Sequence, residues 1–311
     1  MRIVFMGTPE FAVPTLERLV ASGRKVLLVL TQPDRPKGRG GMLTPSPVKE
    51  AALRLGLPLL QPERVRRPEV VELLRALETD AMVVVGSGQI IPQSIIDLPR
   101  HGIVNVHASL LPKYRGAAPI QWAVANGQAV TGVTTMRINA GLDTGDMLMK
   151  YETRIGPDED ALQLGARLAV AGADLLVKTL DALESGFVTP IPQSDAEASY
   201  APILRKEDGL IDWTLPALAI ANRARGFLPW PGTWTWFRGQ VFHIWKAWDA
   251  GHGEGVCGAL IAERRRLLAQ CGANTRLELM EVQQEGRKRM SAEAFLNGLH
   301  PGENDILGRT S

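Results

Sequence analysis

The chain is short of cysteine, of net charge and of long apolar runs, and each shortage removes a class of protein. Only Cys257 and Cys271 occur in 311 residues. They lack metal-ligand spacing, so the sequence encodes neither a disulfide scaffold nor a zinc module, and a reduced cytoplasmic protein without metal is expected. A formal net charge of +2 gives no global field for nucleic acid, so an RNA partner would need local basic patches. No apolar run approaches the roughly 20 residues that span a bilayer. The N-terminus enters a strand without the apolar core and small-residue cleavage site of a signal peptide, and no membrane partner is expected. The dinucleotide fingerprint GxGxxG is missing: Gly7-Thr8-Pro9 follows the first strand instead, which disfavours a dehydrogenase.

The apolar fraction of 45% and charged fraction of 22% are those of a globular chain, and the length suggests two domains. The first half alternates short apolar runs with helical patterns. Residues 2–6, 25–31 and 81–86 read as strands, the last a continuous Met82-Val83-Val84-Val85 run, and residues 11–21 as a helix. Gly102-Ile103-Val104 begins a further buried strand, and residues 131–138 and 146–153 extend the same sheet. Residues 159–185, with leucines at helical spacing, read as one long helix. The pattern predicts an α/β fold with a Rossmann-like, doubly wound, mostly parallel sheet. The composition changes near Gly186. A proline-bearing segment, 187–204, reads as a linker between a catalytic domain (1–186) and a C-terminal domain (205–311). The latter holds six of the seven tryptophans. Its segments 233–237, 241–248, 255–261 and 276–282 alternate and are punctuated by glycine, which suggests a small antiparallel β-barrel of OB type.

Asn105, Val106 and His107, followed by Ser109-Leu110-Leu111-Pro112-Lys113-Tyr114-Arg115-Gly116, carry the chemistry. Alternation along a strand points Asn105 and His107 the same way, at the carboxyl end of a strand, where ligands bind in open α/β sheets. Asp143 adds a carboxylate in a turn between Gly141 and Gly145, which should make the backbone supple. An amide, an imidazole and a carboxylate suit acyl transfer, with one group to hold an oxyanion and two to manage a proton. Each also has a plainer reading, as a satisfied core group or a turn residue; their company argues against it. The apolar 109–112 stretch offers backbone groups to a flat heteroaromatic ring.

Residues 32–49 form a long glycine-rich loop with a net charge of +3, carrying Arg35, Lys37, Arg39 and Lys49 against Asp34. It is either a solvated surface loop or an arm that closes on phosphates or an RNA end. Arg264-Arg265-Arg266 and Arg287-Lys288-Arg289 are local basic clusters, by default a solvated face. The tryptophans read as core and interface anchors before base-stacking residues.

Asn105-x-His107, the Ser109–Gly116 segment and Gly141-Leu142-Asp143-Thr144-Gly145-Asp146 resemble the 10-formyltetrahydrofolate-dependent formyltransferases. Thr31-Gln32-Pro33-Asp34-Arg35-Pro36, Gly38-Arg39-Gly40, Pro45-Ser46-Pro47-Val48-Lys49, Gly116-Ala117-Ala118-Pro119-Ile120-Gln121 and Pro229-Trp230-Pro231 resemble the branch that formylates methionyl initiator tRNA. The resemblance implies transfer of a formyl group from 10-formyltetrahydrofolate to the amino group of charged initiator tRNA, for translation initiation, by a monomer. It puts catalysis on Asn105, His107 and Asp143. It sets the folate pterin against Ser109, Leu110, Leu111 and Pro112, with Gln89 and Ile90 on the neighbouring wall. It sends Arg39, with Lys37 and Arg35, to the acceptor stem, and gives tRNA binding to the C-terminal domain. One departure stands out: Gly86-Ser87-Gly88 replaces the family's Ala-Tyr-Gly, removing an aromatic from the folate wall.

In chemical terms, Asn105 and His107 would hold the oxyanion. Asp143 would orient His107 and help move the amine's proton towards the folate nitrogen. Two other functions fit parts of the sequence: formylation of an amino sugar nucleotide or glycinamide ribonucleotide, which needs neither basic loop nor barrel, and a non-catalytic RNA-binding protein, which would not need the trio.

Overall fold

The computed structural model describes residues 1–37, 42–298, 301–302 and 305–308, with Lys37 by its backbone alone. The chain divides into two compact units. Unit 1 comprises residues 1–116, 130–154 and 165–200; unit 2 comprises residues 117–129, 155–164 and 201–311.

Unit 1 is built on a seven-stranded sheet. In chain order its elements are β1 (Arg2–Gly7), α1 (Val13–Ala21), β2 (Lys25–Leu30), a hairpin of β3 (Arg35–Lys37) and β4 (Met42–Thr44), α2 (Pro47–Arg54), β5 (Leu59–Leu60), α3 (Pro68–Ala76), β6 (Ala81–Val85), α4 (Gln93–Ile96) and β7 (Ile103–His107). Then, after α5 (Pro119–Ala125) in unit 2, come β8 (Val130–Arg137), β9 (Met147–Arg154) and α6 (Ala161–Ser185). The sheet order is β5-β2-β1-β6-β7-β8-β9. β7 is parallel to β6 and antiparallel to β8, which in turn is antiparallel to β9. The expected parallel sheet is therefore present, with an antiparallel edge. The chain runs from β1 outwards to β2 and β5, then returns to β6 on the other side of β1. That reversal opens a crevice at the carboxyl ends of the strands.

Local sequence accounts for these elements. Every residue of β6 and β7 is buried, as for a sheet covered on both faces. Val106 points towards α6, where Gly172 comes so close that a Cβ would lie 2.9 Å from Val106 Cγ1. Asn105 and His107 therefore share the opposite face, the one on which Ile103 packs with Val84, Met82 and Leu74. The hairpin and α2 stand inside the stretch read as one loop. Ser46 starts α2 by accepting the Lys49 N–H at 3.1 Å, with Pro47 in the first turn. The segment 187–200 belongs to unit 1, where Met147 bridges Ile191 and Arg115 bridges Tyr200.

Unit 2 contains α7 (Ala217–Gly226) and an antiparallel sheet of β10 (Thr233–Phe237), β11 (Gln240–His252), β12 (Leu260–Glu263), β13 (Arg266–Cys271), β14 (Thr275–Gln284) and β15 (Met290–Ser291), followed by α8 (Ala292–Gly298). The order is β10-β11-β14-β13-β12, with β15 on β14. The strand expected over 255–261 begins only at Leu260; Gly255 and Gly258 take positive φ and keep the preceding stretch a loop. β13 lacks alternation because five of its six residues are buried. Phe237, Phe242, Ile244, Leu267, Leu279, Trp213 and Phe295 form the core. β10 and β12 do not pair with each other. Instead Leu260 N–H donates to Asp305 O, Leu307 N–H to Gly258 O, and Gly308 N–H to Trp236 O, at 3.0, 2.7 and 2.9 Å. Among the described residues no helix is long and apolar enough to cross a membrane.

Candidate active site

At the carboxyl end of β7, Asn105 and His107 are 9% and 6% exposed. Asn105 sits beside Val84 of β6 and Met136 of β8. Among the described residues no protein group hydrogen-bonds its side-chain amide. The residue is 9% exposed, and its amide atoms are not among those buried without a partner.

His107 is held differently. Its Nε2 lies 2.9 Å from Tyr114 O. A carbonyl only accepts, so Nε2 carries hydrogen and donates. The neutral ring therefore presents a bare Nδ1. That nitrogen faces Asp143 Oδ2 at 3.7 Å, beyond a hydrogen bond and within reach of an ion pair once Nδ1 is protonated. Asp143 does not fix the ring; the Tyr114 carbonyl does. Asp143 Oδ2 accepts the Gly116 N–H at 2.9 Å.

The turn carrying Asp143 is built otherwise than the glycines suggested. Asp143 itself takes the left-handed backbone, at φ 51°, while Gly141 and Gly145 are there for room. A Cβ on Gly145 would lie 1.8 Å from Arg137 O, and one on Gly141 2.1 Å from Thr144 Oγ1. Asn139 Oδ1 accepts from Gly141 N–H and Thr144 Oγ1 at 3.0 and 2.9 Å.

The loop after β7 is tied down on both sides. Thr134 Oγ1 donates to Ser109 O at 2.7 Å and accepts the Leu111 N–H at 3.1 Å, and Ser109 Oγ donates to Lys113 O at 2.6 Å. Leu111 is fully buried with Met136 and Met147, and Pro112 is buried. Across the crevice, the turn after β6 holds Gly86 and Gly88 at positive φ. Ser87 O accepts from Gln32 Nε2 at 3.0 Å. Gln89 is engaged internally: its Oε1 accepts the Val65 N–H at 2.8 Å and its Nε2 donates to Pro62 O at 3.2 Å. Ile90 is 89% exposed.

Of the basic positions, Arg35 is exposed on β3, opposite Thr44 in the hairpin. Lys37 contributes its backbone to the same pairing, and Arg39 lies outside the described residues. Three of the six residues of the C-terminal basic clusters are ion-paired: Arg265 with Glu293, Arg266 with Glu278, Arg289 with Glu281. Among the described residues no group of three or more His, Cys, Asp and Glu side chains is assembled to hold a metal ion. A residue that the sequence left unnoticed, Gln193, also reaches the site: its Nε2 donates to Asp143 O and Gly145 O at 2.8 and 2.7 Å.

Residues 1–180 match the family described as formyl transferase, and residues 203–300 match the formyl transferase C-terminal domain. The chain belongs to the formyl transferase family. Its relatives narrow the class. It is 61% identical over 308 residues to a protein of Solibacter usitatus named methionyl-tRNA formyltransferase, covering 99% of each chain. It is 56% identical over 312 residues to the protein of the same name in Koribacter versatilis, covering 100% of each. Among solved structures, the sugar 3N-formyl transferase WlaRD shares the fold, with a TM-score of 0.68 at 17% identity over 93% of this chain and 99% of that one.

Proposed function

We propose that the chain transfers the formyl group of 10-formyltetrahydrofolate to the α-amino group of methionyl initiator tRNA, in the cytoplasm, for translation initiation. The observation that carries the chemistry is the unpartnered Asn105 amide beside His107 and Asp143; the acceptor follows from relatives that match the chain end to end. Asn105 Nδ2 donates to the formyl oxygen as it takes up negative charge. Among the described residues Asp143 Oδ1 has no hydrogen-bond partner while Oδ2 is held by Gly116, and Oδ1 takes the proton of the attacking amine. The new bond joins that amine to the formyl carbon, the bond to folate N10 breaks, and the proton ends on N10. His107 Nδ1 lies 3.7 Å from Asp143 Oδ2, which makes the imidazole the relay for that proton towards N10.

The residues present fit the donor. Asn105 would give the pterin site its polar end and Ile90 and Leu110 an apolar wall, with no aromatic ring at Ser87. With the side chains of Gln89 and Leu111 already engaged, the pterin would be read there by backbone groups. For the acceptor, Arg35, Lys37 and Arg39 would contact the tRNA end. Residues 1–186 do the chemistry and residues 205–311 bind tRNA as a barrel; the bonds of Asp305, Leu307 and Gly308 to both edges of the C-terminal sheet support closure of OB type.

The test offers the protein 10-formyltetrahydrofolate with charged initiator tRNA and, separately, with an amino sugar nucleotide. Formyl-methionine on the tRNA is expected. Formyl on the sugar alone would overturn the acceptor.

A further inference from the structure

Three consecutive residues after β7 hold both proton-handling groups. Tyr114, itself left-handed at φ 59°, gives its carbonyl to His107 Nε2, and Gly116 gives its N–H to Asp143 Oδ2. Between them stands Arg115, the largest fully buried side chain among the described residues, 1% exposed. Its Nε donates to Gln193 Oε1 at 2.9 Å and its Nη1 to Asp195 Oδ1 at 2.8 Å, while Nη2 finds no partner among the described residues. The Asp195 carboxylate is 88% exposed and compensates little for the buried charge. Gln193 is the inner partner.

We infer that Gln193 is a positioning residue for Asp143, locked in one orientation by Arg115. Its amide cannot turn over. Arg115 only donates, so it must face Oε1; the carbonyls of Asp143 and Gly145 only accept, so they must face Nε2. Both hydrogens of the amide are thereby used, and these two bonds grip the backbone on either side of Thr144. That turn carries a left-handed aspartate, a conformation that persists only where its surroundings impose it. Gln193 touches no reacting atom in this scheme and acts through Asp143. The inference rests on the role proposed above for Asp143.

Gln193→Glu separates the two bonds. The carboxylate keeps the size and the Arg115 contact but sets an oxygen against two carbonyl oxygens. In the full-length protein it is expected to fold, with a melting temperature near that of wild type. Turnover should fall by up to ~10²-fold, the scale of a misplaced catalytic group, with the KM for 10-formyltetrahydrofolate nearly unchanged. Combined with Asp143→Asn, it should cost nothing further in single-turnover measurements, because a residue acting only through Asp143 has nothing left to position. Losses that multiply in the double variant, or a wild-type rate in Gln193→Glu, would overturn the inference. Should Gln193→Glu melt far below wild type, Gln193→Met carries the same cycle. Wild-type turnover in Asp143→Asn would sink the role of Asp143 and Gln193 together. Multiplying losses with an inactive Asp143→Asn would sink Gln193 alone.

Discussion

The two units use their sheets in opposite ways. In unit 1 the central strands are buried along their whole length, and the polar chemistry lies where they end. In unit 2 the edge strand alternates: β10 is buried at every second residue. One face makes the core and the other shows Trp234, Trp236, His243 and Trp245 half-buried. Cations lie on that outer face: Lys206 Nζ stands 5.6 Å from the Trp234 ring centre and Arg289 Cζ 5.4 Å from that of Trp245. On the reading proposed above, Asn105 and His107 are the functional polarity of unit 1, whereas in unit 2 polarity marks the exposed side of an ordinary antiparallel sheet. The difference is one of cost: a polar side chain in a strand covered on both faces loses most of its water, while a half-exposed tryptophan under a lysine does not.

The largest effect that would sharpen this contrast is on stability. All seven tryptophans belong to unit 2, so their fluorescence reports on it alone. Phe242 is fully buried against Phe237 and Phe295, and Phe242→Ala should cost about 3–5 kcal/mol. The fluorescence midpoint in urea should drop steeply while 10-formyltetrahydrofolate still binds. Loss of folate binding at the same urea concentration would show that the two units do not differ in this way.

Next in size is Asn105→Ala. Removing one oxyanion donor lowers turnover by about 10²–10³. Because the amide has no protein partner, the melting temperature should hold, and near-normal turnover would refute the oxyanion role. The contrast is with Phe242→Ala, which strikes stability first.

Why Asn105 and His107 were legible from sequence, and Gln193 was not, follows from the same physics. Period-two alternation puts Asn105 and His107 on one face whatever the rest of the chain does. The His107 tautomer depends on the Tyr114 carbonyl, which no spacing rule predicts. Gln193 lies 50 residues from Asp143, in a segment whose prolines suggest only a crossing; nothing local marks its amide as part of a site. The hairpin of β3 and β4 was hidden for a related reason: its three-residue strands are largely exposed and carry no hydrophobic period. β13 was missed because burial of nearly the whole strand erases alternation.

A smaller effect is expected from the basic arm. Arg39→Ala should weaken charged tRNA and spare folate. The plot of log affinity for tRNA against log salt should become shallower by about one phosphate contact, and Arg39→Lys should restore part of the loss, since lysine keeps the charge without the planar fork. Identical salt lines for wild type and Arg39→Ala would leave tRNA held elsewhere, with unit 2 the remaining candidate.

The smallest effect comes from His243, on the outer face of unit 2. Its Nδ1 is buried without a hydrogen-bond partner, and its ring stacks on Trp245 with centres 5.3 Å apart and planes 16° from parallel. Burial pushes the imidazole below its ordinary value of 6.5; the Lys206 ammonium adds to the shift and Glu285 opposes it. The unfolded chain then takes up its proton at a higher pH than the folded one. Between those two values the unfolded state binds more protons, so stability rises with pH there and falls as the solution is acidified. His243 thus imposes no penalty well above pH 6.5, a growing one below it, and a constant one once the folded ring is also protonated. His243→Phe keeps an aromatic against Trp245 and removes the titration. Melting followed by tryptophan fluorescence from pH 8 to pH 5 should show wild type losing more than the variant, with the gap opening near pH 6.5 and only a few degrees wide. Parallel curves would mean that His243 titrates alike in both states, and that the half-buried face of unit 2 leaves its polar groups as well solvated as the unfolded chain does.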